Sequence, residues 1–499
     1  MDLMPIARFM KLPNIMRAII GTLLALILLV VPANLFTTSE EAAAYMLAGD
    51  EIFADTPGST WTVGYAQAVL TPDDVTADTY YIAGYNTNNP AQGVLDDMYA
   101  KAVYLDDNTG RGGVVLCAVD CVGLSRADIN DIRKMVIESG EITSLKSVNI
   151  SATHAHSAID TQGLWGKNFM SDGKNEAFMQ TLKEKTAEAI LAAYKARTDG
   201  NLYITTAQTD DFQSDTREPV DYDNTLTRLR FAPADGSADT YIVNFAAHAE
   251  MLGSKSTLVS ADFPAYMAQE IREQTNGANT VFINGAIGGL ITADDFDDVL
   301  NNPDFDCIAY TKQYGKELGQ FVLAMGSETE LAPLANIKSV PVSVRCDNTA
   351  LLLARIIGVL NNDMQRSADR KSVSILTEVS YMELGAKQIG IFMIPGELYP
   401  ELASGNFLPA DTAANGTAAD YKVLSGMSDC ADTFVWGLCN DELGYIIPDN
   451  DFLLHEWFEY FNIAYDETGR KHYEETNSVG PDTARTLLEA MEALISGVR

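Results

Sequence analysis

From about Trp61 to the end of the chain, apolar residues recur with a period of two in some stretches and of three to four in others. The short runs Gly113 to Val119, Ser147 to Ala152, Tyr241 to Ala246, Thr280 to Ile283, the alternating Val340, Val342 and Val344, and Gln388 to Ile394 predict strands. Helical spacing over Arg126 to Ser139, Asn175 to Arg197, Pro264 to Gln274, Thr311 to Met325 and Asp482 to Ser496 predicts helices. Because the two sets interleave, the expected fold is α/β, one large catalytic domain over 61–499 whose sheet core is covered by helices. The pattern leaves open whether that sheet is parallel or mixed. Neither an internal repeat nor a low-complexity segment divides the body, and 37–60 reads as a linker leading into it.

Composition adds two constraints. With 47% hydrophobic and 21% charged residues in 499, the chain is an ordinary globular one and disorder is excluded for most of it. Its 34 Lys and Arg stand against 69 Asp and Glu, a formal net charge of -35, which repels a phosphate backbone and argues against a nucleic-acid partner.

The body is preceded by Arg8, Lys11 and Arg17, then an apolar run from Ala18 to Val31, then Glu40 and Glu41. That is the charge order of an export segment. The run is shorter than the ~20 residues of a spanning helix, although continuing it to Phe36 nearly reaches that length. A cleaved signal peptide and an uncleaved membrane anchor over 1–36 both fit, and either places the body outside the cytoplasm, secreted or held at the membrane by its N-terminus. Six Cys are too few and too scattered for a disulfide framework. Cys117 and Cys121 lie in an apolar run and read as buried small hydrophobes, whereas Cys430 and Cys439 could pair in an exported protein.

Only five His occur, so the position of each carries weight. The run Val148 to Ala152 leads into Thr153, His154, Ala155, His156 and Ser157. On an extended chain both imidazoles would face one side roughly 7 Å apart, at ~3.3 Å per residue. One imidazole can then hold a metal while the other stands beside its water; a solvated or hydrogen-bonded pair at a strand end fits the same pattern. His248 closes another apolar run, Tyr241 to Ala247, so three of the five His end core strands, where α/β sheets build their sites. A carboxylate is offered where the run to Ile394 breaks at Pro395 and Gly396 and delivers Glu397, which taken alone reads as a charge at a helix N-terminus. No G-x-S-x-G elbow is present, which argues against a serine nucleophile.

The segments WTVGYAQAVLTP (61–72), Ala83 to Tyr85, Asp97 to Gly123, SATHAHS (151–157), NFAAHA (244–249), LVSADFPAYM (258–267), IPGE (394–397), GYIIPDNDF (444–452) and YEETNSVGPDTA (473–484) run in an order that resembles the catalytic domain of the neutral or alkaline non-lysosomal ceramidases. These are zinc amidases that hydrolyse the N-acyl bond of ceramide. The resemblance implies a Zn2+ held by His154, His248, Glu397 and Tyr445, two nitrogens and two oxygens. It further implies His156 as general base beside the metal-bound water, and Tyr473 and Arg217 on the substrate carbonyl. Arg217 rests only on its position in the loop before the Thr225 to Phe231 run and otherwise reads as a surface arginine. His455 and His472 match no family role and read as surface or structural residues.

Departures from the family loosen the substrate more than the metal. Ser157, Ala158, Ile159, Asp160 and Thr161 replace a glycine- and proline-rich stretch, which puts the substrate entrance in doubt. Asn284 to Gly289 replaces a more polar stretch and is expected to form a tight turn near the site. The family's C-terminal immunoglobulin-like domain is expected to be absent. The expected activity is hydrolysis of a lipid-like N-acyl amide, with ceramide as the family's substrate. The alternatives are a zinc hydrolase of another amide or ester, and a non-catalytic surface binding protein that keeps the fold.

Overall fold

The computed structural model describes residues 36–38, 44–217, 220–294, 296–368 and 371–499. Apart from Phe36, the expected export segment lies outside the described residues. Among the described residues no helix is long and apolar enough to cross a membrane.

The larger of two main sheets has nine strands. Eight follow one path, in the order Asn279–Asn284, Thr240–Phe245, Thr225–Pro233, Thr198–Gln208, Trp61–Val69, Tyr99–Asp106, Gly113–Val119 and Leu145–Ala152. The sheet is mixed. Pairing is parallel only at the two ends of the path, between Thr240–Phe245 and Asn279–Asn284 and between Gly113–Val119 and Leu145–Ala152. The second sheet has five strands, four of them in the order Ala335–Arg345, Val373–Leu384, Ile389–Met393 and Asp432–Trp436.

The expected sheet core covered by helices consists of two sheets packed face to face, with helices on their outer sides. Alternation within single strands shows why. In Gly113–Val119, Val115, Cys117 and Val119 pack under helices Arg126–Glu138 and Glu176–Lys195, whereas Val114, Leu116 and Ala118 face the other sheet and meet Met382, Leu384, Ile391 and Trp436. Both faces are apolar because both are covered, so the strand reads as a continuous apolar run. Helix Thr483–Gly497 closes the far side, burying Leu487, Leu488, Met491 and Leu494 on the second sheet.

Residues 44–60, expected as a linker, lie along that second sheet. Asp50 N–H donates to Ile337 O at 2.7 Å, and the Phe53 ring stacks on Tyr381 at 6.0 Å. Cys117 and Cys121 are buried as expected, and the suggested Cys430–Cys439 pair is not formed: both thiols are free, with Cys439 buried and Cys430 half-buried.

Candidate active site

The chain leaves the C-terminal ends of the parallel strands at both ends of the sheet path and converges. Asn284 Nδ2 donates to Thr153 O at 2.8 Å, and His156 N–H donates to Ala249 O at 2.8 Å. His154 does not continue its strand. With φ at 61° it adopts the left-handed conformation, unusual for a residue with a side chain, and the turn brings the His154 and His156 rings to a centroid separation of 4.7 Å. The 7 Å extended spacing therefore does not hold. His248 completes the cluster, 4.8 Å from His154 and 5.6 Å from His156, and one nitrogen from each of the three rings lies within 4.8 Å of the others.

Two of the three rings are held identically. His154 Nδ1 is 2.6 Å from Val122 O and His248 Nδ1 is 2.6 Å from Ile291 O. Each carbonyl accepts the Nδ1 proton, and both Nε2 atoms are turned to Glu397 Oε2, at 3.6 and 3.0 Å. The Ile291 carbonyl is delivered by the Asn284 to Gly289 turn expected from the sequence. Gly288 within it lies so close to Tyr399 that a Cβ would stand 2.6 Å from the Tyr399 nitrogen. Burial, with the charge of His248 beside it, pushes the His154 pKa down to about 4. Burial also opposes charge on His248, but the Glu397 hydrogen bond and the Glu250 and Glu397 charges outweigh it and lift its pKa to about 9.

His156 differs. Neither ring nitrogen has a hydrogen-bond partner among the described residues, and Glu250 Oε2 stands 3.5 Å from Nδ1. Tyr85 donates to the same carboxylate at 2.7 Å and sets its ring edge-on against the imidazole. Burial and the two neighbouring His hold the His156 pKa well below 6.5, so the ring is a neutral base.

Glu397 and Tyr445 arrive as register partners in a short parallel pair, Glu397–Leu398 with Tyr445–Ile446. Tyr473 lies beside Tyr445 at a ring distance of 6.4 Å. Burial and the Glu397 charge push the Tyr473 hydroxyl to about 12 and hold Tyr445 well above the usual 10.0. The segment before Tyr445 is clamped to the His154 strand by Asn440, whose Oδ1 accepts from Ile150 N–H at 3.0 Å and whose own N–H donates to Ile150 O at 2.8 Å.

His154, His156, Glu397, Tyr445 and Tyr473 all line one open-mouthed cavity, with about 910 Å³ of empty space partly continuous with solvent. The remaining wall is largely apolar, with Leu164, Trp165, Leu351, Leu360, Ile375 and Leu443.

Arg217 is brought near but not into this cavity. It is no surface residue: its guanidinium lies 4.2 Å over the Tyr399 ring and pairs with Glu401 at 2.7 Å and Asp451 at 3.2 Å. His472 is buried between Glu475, 2.7 Å away, and Asp466, 3.7 Å away, and half-buried His455 caps a turn by accepting from the Trp457 and Phe458 N–H groups at 3.2 Å. Sequence reasoning missed Glu250, for which the one available signal was its place two residues after His248. It also missed Gln162, Arg355 and Glu442 in the cavity wall, which nothing local marks.

No protein-family model matches the sequence, and no curated protein matches it either. Solved structures do. A neutral ceramidase from Pseudomonas aeruginosa superposes over 87% of this chain and 74% of its own length, with a TM-score of 0.64 and 12% identity. A ceramidase complexed with C2 covers 88% of this chain and 75% of its own, with a TM-score of 0.65 and 13% identity. The protein thus has the mixed α/β fold of the neutral ceramidases.

Proposed function

We propose that the protein is an exported zinc-dependent amidohydrolase that cleaves the N-acyl bond of a lipid-like amide, with ceramide as the reference substrate. The observation that carries this reading is the pair of imidazoles fixed through Nδ1 on backbone carbonyls, both offering Nε2 to Glu397 at the foot of a mainly apolar cavity. Two imidazoles, a carboxylate and the neighbouring Tyr445 hydroxyl fit zinc, which binds nitrogen and oxygen ligands tetrahedrally. A bound cation there would offset the burial that now keeps Tyr445 protonated. When present, zinc supplies Lewis acidity towards the acyl carbonyl and the water.

The chain's own groups do the rest. His156, neutral and unpartnered, takes the proton of the attacking water and delivers it to the leaving nitrogen. Glu250, beside its Nδ1, stabilises the imidazolium in between. Tyr473 donates from the cavity wall to the carbonyl oxygen as charge develops on it. Arg217 takes a supporting role, holding Tyr399 and Glu401 behind the cavity. The apolar wall excludes water and takes the acyl chain.

Acyl release from ceramide in neutral detergent, with chelator and with zinc restored, tests the reading. Zinc-dependent release of fatty acid supports it; zinc-loaded protein that hydrolyses no acyl amide overturns it. Export is tested separately by fractionation, where a body found only in the cytoplasm would contradict it.

A further inference from the structure

Among the described residues lining the cavity, only Arg355 is a lysine or arginine. Helix Thr349–Ile356 presents Leu351 and Arg355, four residues apart and so on one face, to the cavity wall. Arg355 Nε donates to Asn362 O at 2.8 Å, which fixes the plane of the guanidinium. Among the described residues neither terminal nitrogen has a hydrogen-bond or ion-pair partner. The neighbouring carboxylate of Asp363 is already engaged, by Arg126 at 3.3 Å and Thr37 at 3.0 Å.

Carboxylates outnumber cations two to one in this chain, and six of its buried or half-buried arginines use them. Arg111, Arg126, Arg133, Arg217, Arg228 and Arg470 each sit within 3.3 Å of an Asp or Glu oxygen. A cation in the last helical turn would satisfy the helix dipole whichever way its side chain pointed, so the dipole does not explain a guanidinium in the wall of the reaction cavity. Ceramide, a neutral amide, gives that fork nothing to neutralise.

We infer that Arg355 is a specificity-determining residue that grips an oxyanion on the amine half of the substrate. The preferred substrate class is then an N-acyl amide with an anionic headgroup rather than ceramide itself. This rests on the amidohydrolase reading above and narrows it. A planar guanidinium with two free terminal nitrogens matches a carboxylate or a phosphate in bidentate fashion. Hydrolysis would add one water across the acyl C–N bond, returning the fatty acid and an amine that keeps its anionic group.

The test uses the full chain loaded with zinc and four amides of equal acyl length: an N-acyl glycine, a phosphorylated ceramide, ceramide, and a neutral N-acyl ethanolamine. The expected result is a kcat/KM for at least one anionic amide ~10-fold or more above the neutral pair, with Arg355→Gln reducing the anionic-to-neutral ratio ~10- to 100-fold, mainly through KM, as for a lost charge-assisted contact. Arg355→Lys should restore part of the ratio. The glycine and phosphate arms tell the two oxyanions apart. Neutral amides cleaved as well as anionic ones, with a ratio that Arg355→Gln does not move, would overturn the inference while leaving the amidohydrolase standing. If no amide is cleaved, the hydrolase reading fails instead, and equilibrium binding of the N-acyl glycine still decides: weaker binding to Arg355→Gln than to the parent supports the anion site, and equal binding overturns it.

Discussion

Arg217 and Arg355 stand at two regions around the same cavity and are held in opposite ways. Behind the cavity, Arg217 is locked between Glu401, Asp451 and the face of Tyr399, and the imidazoles of His154 and His248 are pinned through Nδ1 on carbonyls. In the outer wall, Arg355 is oriented by a single carbonyl on a helix that also leaves Leu353 and Ile357 exposed. The first region spends its polar groups on one another and so fixes a geometry. The second leaves polar capacity for something that arrives from outside. On the proposed reading, chemistry is built where parallel strands end, and selectivity on a short surface helix that can change without disturbing it.

The most damaging change to the histidine cluster is expected at its one unpinned ring. His156→Ala should lower turnover ~10²- to 10⁴-fold while leaving the fold and melting temperature nearly unchanged, the scale of a missing general base. A loss of turnover below tenfold would show that another group takes the proton. Next in size, Arg217→Met leaves Glu401 without its buried cation, while Asp451 keeps Arg470, and should cost ~3–5 kcal/mol in chemical denaturation, as for a broken buried ion pair. A cost under ~1 kcal/mol would mean that the network is not the rigid half of the comparison.

A pH effect follows from Asp441, the neighbour of Asn440 in the clamp on the His154 strand. Burial, only partly opposed by the Arg126 N–H bond, raises its pKa from 3.8 to about 7. The folded state therefore favours the neutral acid, and that contribution is complete below pH 3.8 and lost as pH rises through about 7. Asp441→Asn copies the neutral form. Its melting temperature should match the parent near pH 4 and exceed it by a few degrees at pH 8; a constant offset across that range would contradict the assignment. The smallest effect concerns the apolar wall. Each added CH₂ in the acyl chain should raise kcat/KM up to ~4-fold, from ~0.8 kcal/mol per buried methylene, until the cavity is full. A flat response would remove the acyl chain from that wall.

Much of this was legible along the chain because local pattern controls it. Gly113–Val119 is the predicted strand to the residue, and helices such as Arg126–Glu138 differ from the prediction by one or two positions. His154, His248 and Glu397 could be singled out because each follows an apolar run. What was not legible depends on partners far off in sequence. The left-handed turn at His154 follows a strand clamped by Asn440, 290 residues away, and contradicts the extended geometry that His-x-His suggests in isolation. The second sheet was hidden because a strand covered by a sheet and one covered by helices share the same apolar pattern. Arg355 was hidden for a different reason: a cation in the last turn of a helix looks ordinary until the wall it joins is known.

The proposed chemistry stands or falls on the metal. Zinc per chain should be measured by elemental analysis on the purified protein, on His248→Ala and on His156→Ala, after dialysis against the same weak chelator. About one zinc is expected in the parent and in His156→Ala and little in His248→Ala, because the proposed function makes only His248 of the two a ligand. Full occupancy in His248→Ala, or equal loss in both variants, would contradict the division of the three imidazoles into two ligands and one base.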